Sequence, residues 1–422
     1  MNLLRDVVIT GIGAISPIGI GVDAYAASLR KPRSGVEMLP LLQNTDWPVR
    51  FGASVREFDP KQYIQPRKSI KVMCREIQTG YAVCMMAMEH AQLVPNTLDP
   101  DRFGVTFASE LMYGDIDEMS DVIQRCMVDR KFVYSRFGEN FSSAIFPLWM
   151  LKYLPNMTAC HVAIALDARG HNNSIVQGDV SSLLAFSEAI SVIQRGWADI
   201  MIAGGSSSRL RLTPMVYRGD ANLSHRNDDP AAASRPFDLD RDGMVNGEGA
   251  AALILESRDH AVRRGARIWA QVEGFCHRSS ARDHRRQPRS HSVQLAIEGA
   301  LRASGRTVDE IGHVNAHGAS TRDGDCWEAT AIHRVLGNVP VTAPKSFFGN
   351  TGAAGGLLEM VASLIGLTSG EIPVTLNYSR PDPDCPIHVV HRQPLACQKP
   401  AALVLNHSTT GQAAAVVIAR EP

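Results

Sequence analysis

The sequence predicts an α/β protein in which helices cover two buried sheets, one in each of two similar halves. Three observations carry this expectation. Short apolar runs of strand length alternate with longer runs whose apolar residues recur at helical spacing. The strand-length runs are apolar on successive residues, as in strands covered on both faces. The strand–helix alternation then starts afresh in the second part of the chain, dividing it into residues 1–256 and 257–422. No repeat is visible at the level of residues, so the duplication is expected of the fold rather than of the sequence.

The bulk numbers agree with a globular protein of this size. The chain has 422 residues, 45% of them apolar and 20% charged, and its formal net charge is zero. A neutral chain shows no overall basic surface for nucleic acid, so no nucleic-acid partner is expected. No apolar run reaches the roughly 18 residues of a spanning helix, so no membrane span is expected. The N-terminus runs directly into a strand with neither a charged lead nor a cleavage site, and a cytoplasmic location is expected. Eight cysteines are scattered without a CxxC pair, a pattern of neither a disulfide framework nor a zinc site; reduced thiols and no metal are expected.

In chain order, Val7–Ser16 is expected to be a buried strand ending in a glycine-rich turn. Its GxG lacks the third glycine and the helix of a dinucleotide fingerprint, so packing is the favoured role. A long helix is expected over 69–93, its methionines filling core gaps. Phe103–Ser109 is a strand. Residues 110–155, rich in Met, Phe and Tyr, are expected to be an irregular insertion over a site or a subunit contact. Ala198–Gly205 is a further buried strand. Asp238–Glu248 superficially suggests a calcium loop, but no helix pattern precedes it, and a structural turn is preferred. Strands follow at 250–256 and 268–274. In the second half, helices are expected near 291–304, 324–335 and up to 368, with a strand and turn at 314–320 and strands at 401–406 and 413–419. Between the halves, His277–Ser290 is strongly basic, either a solvated loop or a patch for an acidic partner.

The organising stretch is Ser174–Leu183. A β-rich run enters a tight turn at Gln177-Gly178-Asp179, and an amphipathic helix leaves it with Leu183, Phe186, Ala189, Ile190 and Ile193 at helical spacing. Such an elbow places a side chain beside the free N–H groups at a helix N-terminus, where an enzyme would hold a nucleophile. The residue there is Asp179.

Asn315-Ala-His-Gly-Ala-Ser-Thr321 with Gly324-Asp325, Pro344-Lys-Ser-Phe-Phe-Gly-Asn-Thr-Gly-Ala-Ala-Gly355 and Arg235–Gly249 together resemble the β-ketoacyl-acyl-carrier-protein synthases. Val7–Pro17 and Asn406–Gln412 are also similar to that family. The resemblance spans essentially the whole chain. It implies a thiolase-like αβαβα layered fold, usually a tight dimer, and acyl condensation on a cysteine. The acyl chain arrives on the phosphopantetheine arm of acyl-carrier protein, and no other cofactor is implied. Carried over residue by residue, the nucleophile position is Asp179, the first histidine His317, the lysine Lys345 and the second histidine Asn350. Of two threonines that would hold the carrier arm, one is Ala319 and the other Thr321. The two Phe positions of the C-terminal glycine loop are Ser408 and Thr410. Leu111 and Met112, in Glu110–Tyr113, stand where the family lines its acyl tunnel.

Aspartate cannot form a stable thioester; its acyl product would be a mixed anhydride. Asparagine donates a hydrogen bond but cannot shuttle a proton as histidine does. Three expectations follow. The chain is a condensation-incompetent partner subunit like a chain-length factor, pairing as a heterodimer with a Cys-containing ketosynthase or forming a homodimer. Alternatively it is an enzyme of altered chemistry, decarboxylating malonyl groups or transferring acyl groups with Asp179 and His317. Or it is a scaffold that holds acyl-carrier protein on Arg282, Arg285 and Arg286.

Overall fold

The computed structural model describes residues 4–112, 114–280 and 290–421. The N-terminal half contributes β1 (Val7–Ser16), α1 (Arg75–His90), β2 (Phe103–Ala108), α2 (Met157–Leu166), β3 (Asn172–Ile175), α3 (Ser181–Gln194), β4 (Ile200–Ser208) and β5 (Glu248–Ser257). The C-terminal half contributes β6 (Ala270–Ser279), α4 (Ser290–Ser304), β7 (Ile311–Asn315), α5 (Arg322–Leu336), β8 (Pro340–Thr342), α6 (Gly355–Ser369), β9 (Ala401–His407) and β10 (Gln412–Ala419).

Strand order is β3-β2-β4-β5-β1 in the first half and β8-β7-β9-β10-β6 in the second. The pairings match position by position. β2 is parallel to β3 and β4, as β7 is to β8 and β9, while β4–β5–β1 and β9–β10–β6 are antiparallel. The duplication expected from element order is therefore present in the topology.

The two sheets are not separate. β1 pairs with β6 over Val7–Ile9 and Ala270–Val272, joining them into one mixed sheet of 12 strands among the described residues. Register shifts at Ile9/Gly11 and Val272/Gly274 fall just beyond this join. Such irregularities bend a strand and raise its twist, which lets one ladder serve two layers.

Side-chain alternation builds the layers. On β5, Ala251, Leu253 and Leu255 face a central cluster, while Ala250, Ala252 and Ile254 face an outer one. On β10, Ala414, Val416 and Ile418 face the same central cluster, while Ala413, Ala415 and Val417 face the opposite outer layer. α3 and α6 fill the centre with Leu183, Phe186, Ile190, Leu357, Val361 and Leu364, all buried. α1 and α2 cover one outer face, and α4 and α5 the other. The result is the α–β–α–β–α stack. Each fully buried Leu or Ile here contributes about 1.5–3 kcal/mol of apolar burial. The apolar stretch Gly352–Ser369 is this central helix with its lead-in turn, and it is 83% buried.

Several local readings change. The GxG of β1 makes no turn: a Cβ on Gly13 would sit 2.0 Å from the Val83 carbonyl oxygen, so the glycine admits the backbone of α1. The helix expected over 69–93 is a 3-10 turn, Arg67–Val72, followed by α1. The insertion is more regular than expected, with helices Ile116–Cys126 and Phe137–Ala144 and a short hairpin, Met127–Val128 with Lys131–Phe132. Val122, Cys126 and Ile145 form its own small core. The calcium-like loop is a turn network: Asp238 accepts backbone N–H groups of Asp240, Ser379 and Arg380. Arg282, Arg285 and Arg286 lie outside the described residues.

Candidate active site

Three parallel strands of each half end at one place. At the carboxyl ends of β3, β2 and β4 stand Asp179, Glu110 and Arg209. At those of β8, β7 and β9 stand Lys345, His317 and His407. Crevices at the carboxyl ends of parallel strands are the usual ligand sites of α/β sheets. Here the duplicated topology aims two such ends at a shared cavity of about 280 Å³. Its walls include Asp179, Asn222, Met244, His317, Ala319, Thr321, Asn350, His407 and Thr409.

The elbow has the form expected. Gly178 takes a positive φ of 59°, and the 3-10 turn Gly178–Val180 runs straight into α3. The Ser181 hydroxyl accepts the Gln177 N–H and donates to the Gly178 carbonyl, both at 2.7 Å. Asp179 is thus held at the head of α3, and the helix N-terminus favours its charge by about 0.3–1 kcal/mol.

Its partner was not foreseen. Arg209 donates to Asp179 Oδ1 at 2.7 Å and to Glu110 Oε1 at 2.5 Å, and Arg218 lies 2.9 Å from Glu110 Oε2. Ser207 adds a hydrogen bond to Glu110 at 2.9 Å. Burial pushes the Asp179 carboxyl upward, but Arg209, Lys345 and Arg218 outweigh it and hold it below the usual aspartate value. Glu110 follows the same balance: burial raises it, and Arg209 and Arg218 bring it below the glutamate range. Asp179 is therefore an ionised, engaged carboxylate.

The opposite wall is a second buried network. Lys345 Nζ lies 3.0 Å from His317 Nδ1 and 2.9 Å from the His317 carbonyl oxygen, and it also pairs with Glu359. Asn406 donates to Glu359 at 2.5 Å, and Glu328 accepts the N–H groups of His317 and Gly318 at 2.6 and 2.8 Å. Burial, then the Lys345, His407 and Arg209 charges, hold the His317 imidazole well below its usual pKa. It is neutral, and with the Lys345 ammonium donating to Nδ1 its proton is on Nε2. Asn350 is buried, its side-chain oxygen accepting the Gly352 N–H at 2.9 Å and its amide nitrogen 3.6 Å from Met244 sulfur.

Of the residues singled out from sequence, Asp179, His317, Asn350 and Thr321 line this cavity, and Lys345 stands behind His317. Ser408 and Thr410 bond each other at 2.7 Å in the turn between β9 and β10 and are not among the cavity's wall residues. Leu111 is exposed, and Met112 packs toward the outer core with its sulfur 3.6 Å from Cys74. Glu248 pairs with Arg75 at 2.8 Å and accepts from Ser208. Sequence reasoning missed Arg209, Arg218 and His407, and named Glu110 only as the first residue of the tunnel-lining run. The signal for Arg209 and Glu110 was their place just past strands β4 and β2.

Cys326, Asp382 and Cys385 bring three potential metal-ligand atoms together. The Arg241 guanidinium already occupies that position, 2.6 Å from Asp382 and 3.1 Å from Cys326 sulfur, and a second cation there would be repelled.

Comparison with known proteins shows the family of the chain. Residues 4–261 match the family model "Beta-ketoacyl synthase, N-terminal domain" and residues 269–379 "Beta-ketoacyl synthase, C-terminal domain". The chain is 34% identical over 397 residues to 3-oxoacyl-[acyl-carrier-protein] synthase 2 of Synechocystis sp., covering 92% of each. It is 31% identical to the tetracenomycin polyketide synthase ketoacyl synthase alpha subunit of Streptomyces glaucescens, covering 99% of this chain and 97% of the other. Among solved structures, a ketosynthase in complex with its type II polyketide acyl-carrier protein superposes with a TM-score of 0.84 at 28% identity, covering 99% of this chain and 100% of that one. The ishigamide ketosynthase/chain length factor gives 0.86 at 25%, with the same coverage.

Proposed function

The chain belongs to the beta-ketoacyl synthase family, and we propose that within it the chain is a condensation-incompetent partner subunit of the chain-length-factor kind. It pairs with a Cys-containing ketosynthase and receives chains carried on the phosphopantetheine arm of acyl-carrier protein. The observation that carries this reading is Asp179 clamped by Arg209 at the elbow. Condensation needs a nucleophile whose acyl product is a stable thioester. A carboxylate that neutralises a buried guanidinium cannot serve, and among the described residues no cysteine lines the cavity. Cys160 sits on α2, in an outer layer.

Two further features support a partner role. The insertion leaves Ile123, Phe132, Phe146, Leu148 and Met150 exposed, an apolar surface suited to another subunit. A homodimer of this chain would contain two disabled elbows, whereas a heterodimer contains one able to condense. The alternative in which Asp179 acts as a general acid requires protonating it against Arg209, Lys345 and Arg218.

Co-expression with a Cys-containing ketosynthase of the same pathway tests the reading. A mixed dimer is expected, and intact-mass analysis with acyl-carrier substrates should place the acyl group on the ketosynthase and none on this chain. Condensation by this chain alone, or an acyl adduct on it, refutes the proposal.

A further inference from the structure

Cys326 and Cys385 belong to none of the roles assigned above, yet they stand together behind the cavity wall. Cys326 is near the start of α5, and Cys385 closes the turn 382–385, where its N–H donates to the Asp382 carbonyl at 2.9 Å. The two thiols are free and lie 59 positions apart in the chain, but their sulfurs are 3.7 Å apart. Both backbones are tied down: the Cys326 carbonyl accepts the Thr330 hydroxyl at 2.7 Å, and the Cys385 carbonyl accepts the Ile387 N–H at 2.8 Å. A covalent S–S bond of about 2.05 Å therefore asks for side-chain rotation and leaves both segments in place. Cys385 is buried and Cys326 only partly so, which makes Cys326 the more accessible of the two. Arg241 donates to Cys326 sulfur at 3.1 Å and to Asp382 at 2.6 Å. Its charge repels a metal cation here but is no obstacle to a neutral disulfide, and it favours the thiolate from which such a bond starts. Burial raises both thiols against the pull of Arg241, so the pair rests as thiols until an oxidant is supplied.

We propose that Cys326 and Cys385 are a modification site, a dithiol that a hydroperoxide converts to a disulfide, and that the bond locks the α5 wall of the cavity. The Cys326 thiolate attacks one oxygen of the peroxide. The S–O bond forms, the O–O bond breaks, and the departing hydroxide takes up the thiol proton as water. Cys385 sulfur then attacks the Cys326 sulfenic acid. The S–S bond forms, the S–O bond breaks, and hydroxide leaves with the Cys385 proton as a second water. Two thiols are oxidised and the peroxide is reduced, so two thiols plus hydrogen peroxide give one disulfide plus two waters. α5 follows Thr321 directly, and Thr321, Gly324 and Trp327 line the cavity. Arg241 holds the same helix start, donating to the Thr321 and Arg322 carbonyls at 3.2 and 2.9 Å. A bond from Cys326 to the turn 382–385 fixes that wall covalently. Transient disulfides serve as redox sensors in reducing compartments. The inference stands apart from the partner-subunit reading, because it uses no property of Asp179 or of a second subunit.

The test treats the reduced full chain with hydrogen peroxide and maps cysteines by peptide mass spectrometry without reductant. A cross-linked peptide pair containing Cys326 and Cys385 is expected, and dithiothreitol should reverse it. The oxidised chain should melt higher by roughly 2–5 °C, as expected for closing a loop of this length in a chain of this size. Backbone amides of 322–328 should exchange more slowly than in the reduced chain. Cys385→Ser should lose the cross-link and leave a sulfenic acid on Cys326 that dimedone traps, whereas Cys326→Ser should lose both. Melts of the reduced variants check that they fold, and the parent's own cross-link decides the matter if either does not. Cys326 and Cys385 that both stay alkylatable after oxidation overturn the inference. So does a cross-link to another cysteine, a sulfinic acid in place of the disulfide, or a Cys326–Cys385 bond that leaves melting and exchange unchanged.

Discussion

Replacing Asp179 by Asn separates the charge at the elbow from its shape. Arg209 is 3% exposed, Glu110 9% and Asp179 20%. Unit charges about 4 Å apart in an effective dielectric near 20 attract by about 4 kcal/mol, much of it offset by desolvation. Asparagine still offers an oxygen to Arg209, and Glu110 still neutralises it, so Asp179→Asn should cost only about 1–2 kcal/mol. Arg209→Met leaves two buried carboxylates with Arg218 as their neighbouring cation and should cost about 3–5 kcal/mol. Urea unfolding midpoints compare the three proteins. The pH dependence adds a second check. Asp179 is held below its ordinary value, so its stabilising contribution is fully present above about pH 4 and is lost as pH falls through the lowered value. The gap between parent and Asp179→Asn should be flat from pH 5 to 8 and close below about pH 4. A variant as stable as the parent at pH 7, or one that loses as much as Arg209→Met, would refute the clamp.

Other sites give independent expectations. Gly13→Ala forces a methyl against the Val83 carbonyl and should destabilise by about 1–3 kcal/mol or more, read from the urea midpoint. Asp325 is pushed up to about 7, by burial against the opposing pull of Arg241. A raised carboxyl favours the protonated folded form, so this residue erodes stability as pH rises from about 4 to 7. Asp325→Asn, which keeps an acceptor for the Phe237 N–H, should flatten that decline and stabilise the protein at pH 8. Melting profiles across that range decide it.

The layered fold was legible because its strands are apolar on consecutive residues and its helices repeat apolar residues at helical spacing. The elbow was legible for a local reason: a glycine at positive φ followed by an amphipathic run. What escaped was whatever depends on strand pairing. Residue 209 comes to residue 179 only because β4 and β3 both flank β2, and nothing in the stretch between them encodes that proximity. The join between the sheets depends on a three-residue pairing, too short to mark in the chain. The insertion was read as irregular because its aromatic density hid a helical period, Ile116, Met119, Val122 and Cys126, that the sequence carries.

The two halves approach the cavity with opposite chemistry, and this explains how an αβαβα frame persists while the elbow changes. In the C-terminal half, His317, Lys345, Glu359 and Asn406 form one buried chain of contacts. Removing any member would leave a charged or polar partner unmet, at a cost of about 1–3 kcal/mol or more. In the N-terminal half, the acid at 179 is compatible with folding only beside a cation, and Arg209 supplies it. Glu110 and Arg218 then balance Arg209 in turn. The substitution at the elbow is therefore one part of a charge-matched set drawn from three strand ends. Restoring a cysteine at 179 alone would leave Arg209 with Glu110 as its one clamping carboxylate, at a cost comparable to that of Asp179→Asn.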